Sequence, residues 1–96
     1  MKKVYMDNNA TTRTRPEVVE AMLPFYGDVY GNSSSVHSAG REARKHLEKA
    51  REKVAELMGA ALPEEIIFTS GGTESDNLAI KGTAAALEDK GRHIIT

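Results

Sequence analysis

The residues best suited to chemistry in this chain form a small, glycine-rich turn, Ser70-Gly71-Gly72-Thr73. An apolar run from Ile66 to Phe68 stops at this turn, and a helix-like segment begins directly after it. A turn of this kind presents free backbone N–H groups and the positive end of a helix dipole, and both favour a phosphate group. The hydroxyl groups of Ser70 and Thr73 are further possible donors. The pattern therefore predicts a phosphate-binding site.

The same turn also has a plain structural interpretation. It lacks the Gly-Lys-Ser/Thr ending of a Walker A loop and the glycine spacing of a dinucleotide fingerprint. Taken alone, a strand-to-helix turn with two glycines is most often only a tight connection. Glu74 and Asp76 interact favourably with the positive end of the helix dipole, but they repel a phosphate that lies too close to them. A phosphate is therefore expected on the backbone side of Gly72 and Thr73.

Two other polar segments are candidates for a site. Residues 7–12 follow the apolar residues 4–6, and they are either a plain turn or an arm that docks on another part of the protein. Residues 32–37 form a polar loop that is either exposed to solvent or uses His37 to bind a ligand or carry a proton. The three histidines lack the spacing with acidic residues that builds a metal site, so no metal is predicted.

The composition is that of an ordinary globular chain, and it argues against several classes of function. The 96 residues contain 13 basic and 14 acidic side chains, and the net charge of −1 gives no electrostatic basis for binding nucleic acid or a membrane. No apolar run reaches the roughly 20 residues of a membrane span, and the first residues lack the apolar stretch of a signal peptide. The absence of cysteine excludes disulfides and thiolate metal sites, and it favours a cytoplasmic location.

Two helices are predicted before the glycine-rich turn. Thr14 and Glu17 have the spacing of a capping box, and Pro16 suits the first turn of a helix. A second helix is predicted from Ser38, as its N-terminal cap, to Gly59, as its C-terminal cap. Its apolar residues recur at steps of four, three, four and three, and so form one stripe: Ala43, Leu47, Ala50, Val54 and Leu57.

The second half of the chain predicts a strand, a helix and a strand. Residues 65–69 read as the first strand, residues 74–89 as a helix that Gly91 ends, and residues 93–96 as the start of a second strand. This order predicts an α/β fold with parallel strands. Because two strands with unpaired edges make a poor sheet on their own, the sequence is interpreted as truncated, the first part of a larger fold.

Three segments, taken together and in this order, resemble the N-terminal part of a known enzyme family. They are residues 5–12 (YMDNNATT), 30–40 (YGNSSSVHSAG) and 68–82 (FTSGGTESDNLAIKG). The chain resembles the cysteine desulfurases of the nitrogen-fixation and iron–sulfur-assembly type, which are pyridoxal-phosphate (PLP) enzymes of the class-V aminotransferase family. The resemblance covers essentially all 96 residues. Ser33 stands where the family commonly has proline, and Gly72 where related proteins often have alanine.

The resemblance implies a fold-type-I PLP-dependent transferase. Such a fold has a mostly parallel sheet with flanking helices in a large domain, and a second, smaller domain. Residues 1–13 would form an N-terminal arm, and residues 14–96 the first part of the PLP-binding large domain. Gly72 and Thr73 would hold the PLP phosphate. The substrate pocket would be lined in part by three residues of the arm: Asn9, Ala10 and Thr11.

The implied reaction converts L-cysteine to L-alanine and leaves the sulfur as an enzyme-bound persulfide for iron–sulfur cluster assembly. The resemblance implies a cytoplasmic homodimer, with residues 32–37 near the dimer interface, that delivers sulfur to a scaffold protein. The family's Schiff-base lysine and catalytic cysteine have no counterpart in this chain, so no catalytic residue is assigned and the 96 residues alone are expected to be inactive. Two alternatives stay open: another class-V PLP enzyme such as a selenocysteine lyase, and a non-catalytic fragment or partner-binding module.

Overall fold

The computed structural model describes residues 1–95, which form three α-helices joined by turns and irregular segments. The helices are α1 (Pro16–Met22), α2 (Ser38–Met58) and α3 (Gly72–Ala86), and two short 3-10 turns span Leu23–Tyr26 and Pro63–Glu65. The chain divides into two compact units, Met1–Lys53 and Val54–Thr96, with the boundary inside α2. Over the described range no helix is long and apolar enough to cross a membrane.

Helix α1 begins where the proline predicts, but its N-terminal cap differs from the prediction. Arg15 has an extended backbone and is the cap residue, with Pro16 at the first helical position. Glu17 is therefore the second helical residue, whereas a capping box needs its glutamate at the third. The carboxylate of Glu17 pairs with the guanidinium of Arg15 instead. The predicted capping box between Thr14 and Glu17 is therefore wrong.

Helix α2 confirms its predicted C-terminal cap, but its N-terminal cap is His37 rather than Ser38. The Gly40 N–H donates to Nδ1 of His37 over 3.3 Å, and Ser38 is already the first helical residue. At the other end Gly59 has a φ of 70°, and the Ala60 N–H donates to the carbonyl oxygen of Ala55 over 2.9 Å. This is a Schellman motif, and it closes over Ala55, which is only 4% exposed.

Helix α3 begins two residues before the predicted Glu74, and it ends at Ala86 rather than Asp89. A turn follows directly, in which the N–H groups of Lys90 and Gly91 both donate to the carbonyl oxygen of Leu87. The chain thus leaves the helix before it reaches Gly91, the residue predicted to end it.

Neither residues 65–69 nor residues 93–95 form a β-strand, in contrast to the prediction. Thr96, the last residue of the second predicted strand, lies outside the described residues. Glu65 ends a 3-10 turn, and Ile66 follows with an extended backbone of φ −90° and ψ 116°. An extended, apolar segment becomes a strand only when a neighbouring strand forms a ladder with it. The described part of the chain is helical, so the α/β class is not established by these residues.

In the first unit an aromatic contact joins α2 to the 3-10 turn that follows α1. Phe25, on the 3-10 turn after α1, places its ring edge-on to His46 of α2, with 5.1 Å between the ring centres and an angle of 82° between the ring planes. Aromatic and imidazole rings favour this geometry. Most apolar side chains in the described residues remain exposed, and Leu47 of the α2 stripe is 36% exposed. The helices therefore carry apolar faces that these residues do not cover.

Candidate functional site

The glycine-rich turn forms the N-terminus of α3 and leaves its first N–H groups free. Gly71 is the cap residue, with an extended backbone, and its carbonyl oxygen accepts the first helical hydrogen bond from the Ser75 N–H over 3.1 Å. The N–H groups of Gly72 and Thr73 have no hydrogen-bond partner among residues 1–95. These N–H groups at the helix N-terminus are therefore available as hydrogen-bond donors to a ligand, as the sequence predicts.

Glu74 turns back over this turn and binds Ser70. Its Oε2 accepts a hydrogen bond from the Ser70 N–H over 2.8 Å and another from the Ser70 hydroxyl over 2.5 Å. The Ser70 hydroxyl bond, and secondly the Ser70 N–H bond, lower the pKa of Glu74 below the ordinary range of a glutamate. The expectation that the Ser70 hydroxyl is a free donor is therefore wrong, because its one hydrogen is used by Glu74.

A second set of hydrogen bonds holds the carbonyl groups of the same turn. The hydroxyl oxygens of Thr69 and Ser75 lie 2.6 Å apart, and each lies 3.1 Å from the carbonyl oxygen of Gly71. The side-chain amide of Asn77 donates to the carbonyl oxygen of Thr73 over 2.8 Å. These contacts tie the start of α3 to the residues before it, so the turn is well defined on its carbonyl side.

The donor set at the start of α3 fits a phosphate group. Two adjacent N–H groups and the Thr73 hydroxyl are donors without partners among the described residues, and they lie at the positive end of a helix of 15 residues. A Cβ atom placed on Gly72 would meet nothing within 4 Å, so the backbone there is open to a ligand. The Glu74 carboxylate, which contacts the turn, is already hydrogen-bonded to Ser70.

The predicted pocket residues of the arm lie in an exposed turn. The N–H groups of Ala10 and Thr11 donate to the carbonyl oxygen of Asp7, over 3.1 and 3.4 Å, so Asn9 sits inside a closed turn. Asn9, Ala10 and Thr11 belong to the first unit of the chain, and Gly72 belongs to the second. Their role in a substrate pocket stays a prediction.

The loop at residues 32–37 is more ordered than its polar sequence predicts. Oδ1 of the Asn32 side chain accepts a hydrogen bond from the Ser34 N–H over 2.9 Å. The backbone carbonyl oxygen of Asn32 accepts another from the Ser35 N–H, also over 2.9 Å. Arg41 donates to the carbonyl oxygen of Val36 over 2.5 Å. Gly40 is buried, and a Cβ atom there would overlap the Ser35 carbonyl oxygen and lie 2.7 Å from that of Asn32.

Sequence reasoning missed this contact between the loop and α2. A second close approach lies at Gly31, where a Cβ atom would overlap the backbone of Ala39. The signal in the sequence was the small residues, glycine, serine and alanine, around Gly31 and Gly40. The close approach explains why these positions carry glycine.

A groove in the second unit lies away from the glycine-rich turn. It follows the C-terminal half of α3, where Ile80 and Leu87 face the segment that contains His93. Ile80 is eight residues from Gly72, which is about 12 Å along a helix axis. In the described range no three histidine, cysteine, aspartate or glutamate side chains gather to hold a metal ion.

Comparison with known proteins places the chain in a family. Residues 4–96 match the family model described as aminotransferase class-V, so the chain belongs to the class-V aminotransferase family. It is 59% identical over 95 residues to a protein named cysteine desulfurase IscS from Dictyoglomus turgidum, and 57% identical over 95 residues to one of the same name from Methanosarcina thermophila. It is 54% identical over 96 residues to a putative cysteine desulfurase IscS 1 from Bacillus subtilis.

The comparisons also set how much of those proteins the chain represents. The matches to these three relatives cover 99–100% of this chain's length. They cover only 23–25% of each relative's own length, so the chain spans about a quarter of those proteins. Among solved structures, a NifS-like protein matches 92% of the chain at 51% sequence identity with a TM-score of 0.83, and the match spans 24% of that protein. The resemblance to cysteine desulfurases inferred from the three sequence segments is confirmed.

Proposed function

We propose that this chain is part of a PLP-dependent cysteine desulfurase, in which it supplies the binding site for the cofactor phosphate. The reaction converts L-cysteine to L-alanine and transfers the sulfur to an enzyme cysteine as a persulfide. The observation that carries the proposal is the pair of free N–H groups at Gly72 and Thr73, in a chain more than 50% identical to proteins named cysteine desulfurase.

The residues of the turn divide the work of holding the phosphate. The N–H groups of Gly72 and Thr73, together with the Thr73 hydroxyl, donate to the phosphate oxygens, and the α3 dipole adds a favourable interaction. When it is bound, PLP supplies an electron sink for the bonds that break in the substrate. This chain contains no cysteine, so the thiolate that receives the sulfur is not one of these 96 residues.

Further parts of the proposal extend to the whole protein. We expect an α/β fold of type I, in which residues 1–13 form an arm and residues 14–96 belong to the PLP-binding large domain. Asn9, Ala10 and Thr11 are proposed to line the substrate pocket. The proposed assembly is a cytoplasmic homodimer that passes sulfur to a scaffold protein for iron–sulfur clusters. The names of the relatives support the desulfurase reaction, and the likeness to the NifS-like structure supports the fold.

The test is a product analysis of the native protein purified with PLP. With L-cysteine and a thiol reductant we expect alanine and sulfide in equal amounts, since each turnover releases one alanine and the reductant frees one sulfur. L-selenocysteine and a plain amino donor are assayed in parallel. Turnover of selenocysteine alone would indicate a selenocysteine lyase, and amino transfer without sulfide would indicate an aminotransferase. Either result would overturn the proposed desulfurase.

A further inference from the structure

The two hydrogen bonds from Ser70 to Glu74 close a ring around the two glycines of the turn. Ser70 lies directly before the two glycines and Glu74 lies two residues after them, so the ring spans Gly71 and Gly72. Glycine loses more conformational freedom on ordering than any other residue. A contact that fixes two successive glycines before a ligand arrives reduces the ordering cost of binding.

The same contact removes Ser70 from the set of possible phosphate donors. Its hydroxyl has one hydrogen, and that hydrogen is directed at a carboxylate oxygen 2.5 Å away, which is a charge-assisted bond. Its N–H is directed at the same oxygen. The N–H groups of Gly72 and Thr73 are among the donors at this end of α3 that have no partner in residues 1–95.

We propose that Glu74 is a positioning residue for the cofactor phosphate: by holding Ser70, its carboxylate presets the turn so that Gly72 and Thr73 donate to the phosphate and Ser70 does not. The inference rests on the proposed function, because it assumes that a phosphate binds at this turn. It goes further by giving roles to Ser70 and Glu74, which act on the phosphate through the backbone of the two glycines.

An analogous contact elsewhere in the chain supplies a matched control. Oε2 of Glu65 accepts a hydrogen bond from the Ala61 N–H over 2.9 Å, across the same spacing of four residues, at the 3-10 turn Pro63–Glu65. That contact closes a turn without an α-helix N-terminus beside it. A purely structural role for such a glutamate should therefore look the same at Glu65 and at Glu74.

The experiment compares the affinity of the complete apoprotein for PLP and for pyridoxal, which lacks the phosphate. Both are followed by absorbance titration of the wild type and of Ser70→Ala, Glu74→Gln, the double variant and the control Glu65→Gln. The ratio of the two affinities measures the contribution of the phosphate alone. A change that merely loosens the fold alters both affinities together and leaves the ratio unchanged.

We expect Ser70→Ala and Glu74→Gln each to lower the preference for PLP about five- to twentyfold, with pyridoxal affinity within twofold of the wild type. The double variant should lose about as much as the larger single loss, because both changes weaken the same contact. Ser70→Ala removes its hydroxyl bond, and Glu74→Gln replaces its charged acceptor with a neutral one. Glu65→Gln should keep the full preference. Glu74→Gln preserves the shape of the side chain, so the comparison does not depend on a truncated residue.

Three results would overturn the inference and leave the proposed function intact. The first is an unchanged or increased PLP preference in Glu74→Gln, which would mean that the carboxylate only repels the phosphate. The second is a loss in Ser70→Ala alone, which would make Ser70 a direct donor. The third is an equal loss for both ligands, which would be a structural effect. A wild-type protein without any preference for PLP would instead overturn the proposed phosphate site itself.

Discussion

At the scale of single residues, Thr73 is the side chain whose loss should affect the cofactor most directly. Thr73→Ala removes one hydroxyl donor to a charged phosphate but keeps the backbone N–H. We expect PLP to bind more weakly by about 1.5–3 kcal/mol, the contribution of a charge-assisted hydrogen bond, which is roughly ten- to hundredfold. Thr73→Ser keeps the hydroxyl and should bind nearly as well as the wild type. Equal affinities of the wild type and Thr73→Ala in a PLP titration would count against the site.

Glu74 predicts a pH dependence whose sign follows from its hydrogen bonds. Ser70 lowers the pKa of Glu74 in the folded protein, so the contact stabilises the fold fully above the ordinary glutamate pKa of about 4.3. That stability is lost as the pH falls through the lowered folded value. The Ser70 amide proton should therefore shift in NMR spectra below this pH, and the shift should be absent in Glu74→Gln. A midpoint at or above the ordinary value would contradict the assigned contact.

At the scale of elements, the contact between the loop at residues 32–37 and α2 depends on a glycine. Gly40→Ala places a methyl group against the carbonyl oxygens of Ser35 and Asn32, and backbone atoms cannot move aside cheaply. We expect the free energy of unfolding to fall by about 1–3 kcal/mol. The control is Gly82→Ala in α3, where a methyl group meets nothing within 4 Å. It should be neutral or stabilise by up to about 1 kcal/mol. Similar urea midpoints for both variants would rule out the close approach.

The cap of α2 provides a second prediction at this scale. His37→Asn keeps a side-chain acceptor for the Gly40 N–H, and asparagine is a preferred N-cap residue. His37→Leu removes the acceptor and should lower the free energy of unfolding by about 0.5–2 kcal/mol relative to His37→Asn. The comparison is made by urea denaturation at neutral pH. If the two variants were equally stable, the side chain of His37 would not cap the helix.

The elements show which structural features a sequence can predict. The apolar stripe of α2 and its cap at Gly59 depend on residues close together in the chain, and both predictions hold. The predicted caps of α1 and α2 each differ from the observed cap by one position. Arg15 caps α1 through its extended backbone, without a side-chain hydrogen bond, and His37 caps α2 through Nδ1, and neither residue type is a preferred cap. The strand at residues 65–69 failed for another reason, since pairing depends on a partner that the local sequence does not specify.

The candidate site was predictable in its location but not in its internal contacts. Two glycines before a helix are enough to indicate free N–H groups at Gly72 and Thr73, and the structure confirms these. The distinction between Ser70 and Thr73 was not predictable, because both are hydroxyl residues beside the same turn. It depends on the Glu74 side chain folding back by four residues, which only the three-dimensional geometry reveals.

At the scale of the whole molecule, the chain presents more apolar surface than it covers. Among residues 1–95, Ala55 is the only residue with a buried apolar side chain. Ile80 of α3, in contrast, is 56% exposed. The chain spans about a quarter of the relatives it matches, which are named cysteine desulfurase or putative cysteine desulfurase. We therefore propose a local contribution: this segment would supply the turn that binds the cofactor phosphate.

The most direct measurement is an amide-resolved NMR titration of the complete apoprotein with PLP. We predict that the amide protons of Gly72 and Thr73 move downfield as their N–H groups bond to the phosphate, and that pyridoxal causes no such shift. The Gly82 amide, in the middle of α3, serves as the internal reference. Shifts that appear elsewhere in the protein while Gly72 and Thr73 stay unchanged would contradict the account.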